Sequence, residues 1–94
     1  MREEIAANGG TFAVFPNPST GEATFTADLP AGADLRLRIT DLAGREVYGF
    51  NPGKLSSGEH RFQVSLANLP QGMYLYRWLD EQGGLWGSGK VVKQ

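Results

Sequence analysis

"LANLPQGMYLYRW", residues 66–78, is the stretch on which the fold turns. It divides into a turn and a strand. In Leu69–Pro70–Gln71–Gly72, proline pre-sets one backbone angle and glycine supplies the freedom to leave the turn. Alternation then begins. Tyr74, Tyr76 and Trp78 fall on one face, and Leu75, Arg77 and Leu79 on the other. Period-two patterning rich in aromatics marks a strand with one buried face. Tyr74 enters its strand just after the turn. That placement resembles the tyrosine corner of immunoglobulin-like domains, where the hydroxyl bonds to nearby main chain.

The same pattern spreads outward. Leu35, Leu37 and Ile39 alternate with Arg36, Arg38 and Thr40, and Phe62, Val64 and Leu66 with Arg61, Gln63 and Ser65. Turn signals recur at Pro16–Gly21, Leu29–Gly32, Asp41–Gly44, Asn51–Gly58, Leu69–Gly72 and Asp80–Gly84. Between them lie seven expected strands: 11–15, 22–28, 34–40, 45–50, 59–66, 73–80 and 85–93. Short alternating strands with turns every 8 to 12 residues predict an all-β, antiparallel sandwich. "ADLPAGADLRLR" echoes "ANLPQGMYLYRW" because the same turn chemistry launches two strands. No segment sustains a helical apolar period.

Ninety-four residues make one domain with a modest core. There is no cysteine, so disulfides, thiolate nucleophiles and Cys-based zinc sites are excluded. Nine basic and ten acidic residues nearly cancel without a basic patch, which argues against nucleic acid as a partner. The apolar runs are too short for a transmembrane helix. "MREEIAANGG" lacks the apolar region of a signal peptide. Residues 1–10 read as a flexible linker, with at most a frayed helical turn over 1–7, and residues 11–94 as the sandwich.

Few residues offer chemistry. "GLWGSGKV", Gly84–Val91, has the glycines and lysine of a phosphate-binding loop, but Val91 stands where magnesium needs a hydroxyl. It reads better as a hairpin turn feeding a last strand. His60 is the lone histidine and has no partner cluster, so it reads as an edge histidine. Asp28, Asp34, Asp41, Asp80 and Glu81 lie in or beside turns, where loop carboxylates can gather calcium but where turns select aspartate anyway. In "DLAG", Asp41 and Gly44 hold the first and last positions of a type I turn. Tyr74, Tyr76 and Trp78 form a core stripe, and Trp86 is the residue to weigh for stacking on a sugar. No cofactor or metal is implied, and no catalytic residue; an enzyme is not expected.

Three blocks stand in order: "VFPNPSTGEATF" (14–25), "ITDLAGREVY" (39–48) and "LANLPQGMYLYRW" (66–78), followed by "GSGKVVK" (87–93). Together they resemble the type A C-terminal sorting domain of the type IX (Por) secretion system of Bacteroidota, over residues 12–93. The resemblance implies an immunoglobulin-like sandwich and a non-catalytic signal. The signal would send an N-terminal cargo protein through the periplasm and across the outer membrane to the cell surface or medium. The implied partners are the secretion machinery, a sortase-like peptidase cutting near residues 5–11, and the cargo, whose signal peptide lies far upstream. The motif closes the polypeptide in this family, and Lys90, Val91, Val92 and Lys93 are the recognition candidates. Pro16, Asn17, Pro18, Gly21, Asp41, Gly44, Arg45, Leu69, Pro70, Gly72 and Tyr74 are the structural motif positions. At the first corner, Pro16 and Pro18 stop the strand, Asn17, Ser19 and Thr20 cap exposed amides, and Gly21 takes positive φ. The other reading is an immunoglobulin-like accessory module that binds carbohydrate or protein for a secreted enzyme.

Overall fold

The computed structural model describes the backbone of residues 2–5 and all of residues 9–94. The described residues form strands and turns without a helix. The strands are β1 (Arg2–Ile5), β2 (Thr11–Phe15), β3 (Glu22–Leu29), β4 (Ala33–Thr40), β5 (Glu46–Leu55), β6 (Gly58–Ser65), β7 (Gly72–Asp80) and β8 (Leu85–Lys93). They build two sheets, in the orders β1-β2-β3-β6 and β5-β4-β7-β8. Every pairing between neighbouring strands is antiparallel. This is the antiparallel sandwich that the alternation and turn spacing predict, and it agrees with the immunoglobulin-like architecture that the resemblance implies.

Alternation decides what lies between the sheets. Ala23, Phe25, Ala27 and Leu29 point inward from β3, and Leu35, Leu37 and Ile39 from β4. They meet Tyr74, Tyr76 and Trp78 of β7. Phe12 stacks on Trp78 with ring centroids 6.0 Å apart, and Phe25 meets Tyr76 edge-on at 5.2 Å. The indole N–H of Trp78 is buried without an acceptor among the described residues.

Two regions differ from the sequence reading. Arg2–Ile5, expected within the linker or a frayed helical turn, runs as a strand along β2, with Arg2 opposite Val14 and Ile5 opposite Thr11. The exposed edge of β2 supplies backbone partners, which override a segment's weak propensity. Residues 1 and 6–8 lie outside the described residues. The second difference is β5, which runs on to Leu55 through the expected turn at Asn51. Its register against β4 shifts between Leu35 and Leu37, where Gly53 (φ 82°) enters. β5 is an edge strand, and Pro52 sits in this irregularity, where a missing N–H is tolerated.

The glycines of β8 follow from the core. Gly87 lies opposite Trp78 and Gly89 opposite Tyr76. A Cβ on Gly87 would run into the Phe12 ring. On Gly89 it would sit 2.7 Å from the Tyr76 hydroxyl and 2.8 Å from its ring. The strand gives up two side chains so that large aromatics fit beneath it.

Candidate functional site

The first and last motif blocks meet in space. Both prolyl bonds, Phe15–Pro16 and Asn17–Pro18, are cis. The corner they form lies along the outer edge of β8. The Asn17 side chain donates to the Lys90 carbonyl at 2.9 Å and accepts from the Val92 amide at 2.9 Å. Ser19 continues with its backbone. It donates to the Val92 carbonyl at 2.8 Å and accepts from the Gln94 amide at 2.8 Å, in a parallel bridge opposite Lys93. A carboxamide carries the same donor and acceptor as a peptide unit, so Asn17 stands in for one residue of a neighbouring strand. The Ser19 hydroxyl is fully buried. It donates to the Glu22 carbonyl at 2.9 Å and accepts from the Gly21 amide at 3.2 Å.

This corrects two details of the corner. Asn17 caps the terminal strand rather than its local amides. Gly21 has no positive φ; its carbonyl accepts from the Leu66 amide at 2.7 Å. Thr20 is exposed.

The four recognition candidates do not share one environment. Val91 is fully buried in the core. Lys90 is exposed, Val92 is half-buried, and Lys93 is half-buried with its ammonium donating to the Leu69 carbonyl at 3.3 Å. The terminal strand therefore offers Lys90 and Val92 outward, while Lys93 ties it to the Leu69–Gly72 turn. Within that turn, the Tyr74 hydroxyl donates to the Pro70 carbonyl at 2.6 Å, and Gly72 has φ 151°.

Two aspartates build equivalent hairpin turns. Asp41 accepts from the amides of Ala43 and Arg45 at 3.0 and 2.9 Å and from the Arg45 guanidinium at 2.9 Å. Asp80 accepts from the amides of Gln82 and Gly84 at 2.9 and 2.7 Å and from the Trp86 indole at 3.2 Å. In each turn the glycine three residues on has positive φ, Gly44 at 89° and Gly83 at 83°. These main-chain donors, those of Arg45 and Gly84 foremost, hold both carboxyls below the usual carboxylate range. The likeness of the two turns was available as Asp-x-x-Gly at 41–44 and 80–83.

Gly84–Val91 falls mostly on β8, with no helix behind it to offer its N-terminus to phosphate. His60 donates through Nε2 to the Ser56 carbonyl at 2.8 Å and stacks on Phe62. Trp86 is half-buried against the core. No helix among the described residues is long and apolar enough to cross a membrane.

Residues 13–94 match the family described as the secretion system C-terminal sorting domain. The chain belongs to that family. No curated protein matches it. The match spans β2 to β8, so this sorting domain of type IX secretion takes in both the Pro16–Ser19 corner and the strand it clips. Sorting domains of this family are non-catalytic signals for export to the cell surface or medium.

Proposed function

We propose that this sorting domain directs a cargo protein, joined on its N-terminal side, from the periplasm across the outer membrane through the type IX machinery, and that it performs no reaction itself. The family match over residues 13–94 carries this reading. The machinery reads the folded terminal strand β8, held in place by Asn17 and Ser19, and Lys90 and Val92 are the positions it can touch. A sortase-like peptidase then cuts within residues 5–11, between β1 and β2. Support for β8 as the read element comes from the investment of the corner in fixing it, and from the exposure of Lys90 beyond what the core requires.

The test is a reporter with a signal peptide in front and residues 1–94 behind, expressed in a Bacteroidota host with a type IX system. The wild-type fusion is expected outside the cell. Lys90→Ala changes an exposed side chain, so stability should move by no more than about 0.5 kcal/mol. It should nonetheless trap the reporter in the periplasm. Lys93→Ala loses the bond to Leu69 and should lower both stability and export. Retention of the wild-type reporter would overturn the sorting mechanism. Normal export of Lys90→Ala would remove Lys90 from the signal.

A further inference from the structure

The outer face of the β5-β4-β7-β8 sheet carries a feature the fold does not need. A groove of about 630 Å³ lies on it, its lining including Thr40, Gly44, Leu75, Arg77, Ser88 and Lys90. Leu75 lies opposite Lys90, and Arg77 opposite Ser88. Arg77 and Lys90 are therefore diagonal neighbours on one face, about 7–8 Å apart at the backbone. Leu75, between them, is 39 % exposed, and Met73 beyond it is 40 % exposed.

The charges of this face are unequal in their company. Arg38 pairs with Glu46 at 3.4 Å, Arg45 with Asp41 at 2.9 Å, and Arg61, on the other sheet, with Glu59 at 2.9 Å. Arg36 lies in the field of Asp80. Arg77 and Lys90 have no acidic partner among the described residues. Arg38 is also the cross-strand neighbour of Arg77, a like-charge placement that disfavours the sheet. Fold maintenance does not call for such a pair flanking an exposed leucine.

We propose that this groove docks an acidic segment of a partner protein, one that sets carboxylates on Arg77 and Lys90 and an apolar side chain on Leu75. The guanidinium fork of Arg77 matches a carboxylate with two parallel hydrogen bonds. An anionic bilayer fits less well. Asp41 and Glu46 stand at one end of this sheet and Asp80 and Glu81 at the other, where a flat anionic surface would meet them. A narrow segment passes between. The proposal deepens the sorting reading by naming the chemistry of the partner that meets Lys90, and in that respect it rests on that reading.

The experiment titrates the isotope-labelled chain with a synthetic peptide of alternating Glu and Leu, with its Gln-for-Glu counterpart, and with phosphatidylglycerol vesicles. The acidic peptide should shift the amides of Leu75, Arg77, Ser88 and Lys90, and its affinity should fall as salt is raised. Arg77→Glu should weaken binding at least tenfold while the melting temperature holds, and Arg61→Glu on the other sheet should leave binding unchanged. Equal binding of the Gln peptide, shifts confined to another face, or tighter binding of the vesicles would each overturn the proposal. The export assay separates the two readings. Peptide binding here with a wild-type reporter retained in the periplasm would sink the sorting mechanism alone. Export without peptide binding would sink the groove alone.

Discussion

Asn17 does with a side chain what a neighbouring strand does with its backbone. Removing it strands the half-buried Val92 amide and frees the Lys90 carbonyl. Leaving such a group unpaired costs about 1–3 kcal/mol. Asn17→Ala should therefore lower the melting temperature by roughly 4–24 °C, at about 4–8 °C per kcal/mol for a domain this small. Amide exchange at Val92 should accelerate. Asn17→Asp keeps the acceptor but sets an anion against the Lys90 carbonyl, so it should recover little. An Asn17→Ala protein with wild-type melting and exchange would show that the corner does not hold β8. Tyr74 permits a graded comparison. Tyr74→Phe loses one hydrogen bond to Pro70, worth about 1 kcal/mol. Tyr74→Ala also opens a core cavity and should cost about 3–5 kcal/mol. Equal melting of the two variants would deny the hydroxyl and the ring their separate roles.

At the scale of elements, β8 and the aspartate hairpins make opposite demands on glycine. A glycine in a strand interior normally weakens it, and alanine in its place often stabilises by about 0.4–1 kcal/mol. In β8 the Tyr76 ring already fills the space beside Gly89. Gly89→Ala should instead destabilise by about 1–3 kcal/mol, the usual cost of overpacking. Calorimetry showing a more stable Gly89→Ala protein would reject that packing account. In the hairpins, Asp41 and Asp80 are depressed by main-chain donors, Arg45 and Gly84 first. A depressed carboxyl stabilises the fold above its unfolded pKa, near 4, and that contribution disappears as pH falls through the lower folded value. Melting temperature should thus be flat near neutrality and drop below about pH 4, less steeply in an Asp41→Asn/Asp80→Asn double variant. These elements also show how far sequence carries. β3, β4 and β7 were legible because their apolar residues keep strict alternation. The aspartate turns were legible because side chain and glycine act within a few residues. β1 was not, because "REEI" has a single apolar residue and no alternation, and its partner is an edge formed elsewhere. The clip on β8 was not, because one carboxamide and the Ser19 backbone make it across more than seventy residues. The need for glycine in β8 was not legible, because the Phe12 and Tyr76 rings that fill the space beside Gly87 and Gly89 come from other strands. The groove at Arg77 depends on which charges find partners, and pairing across strands is invisible along a chain.

For the whole molecule, the question is what protects the open edges of two sheets. On one sheet, β8 is sealed at its end by the corner. On the other, β1 covers β2, whose sequence "TFAVF" is uncharged and rich in strand-forming residues. An uncovered strand of that kind is a template for pairing with another chain. If the proposed cleavage falls within residues 5–11, it separates β1 from the rest, and removal of the cargo would then expose this edge. Deleting residues 1–9 should leave the sandwich folded, because its core residues run from Phe12 to Val91. Sedimentation velocity should then show self-association that grows with concentration, absent from the full chain. Thr11→Lys in the shortened protein places a charge on the bare edge and should restore the monomer. A shortened protein that sediments as a monomer at high concentration would mean that β1 is dispensable as a cover, and that β2 is guarded by something other than its paired neighbour.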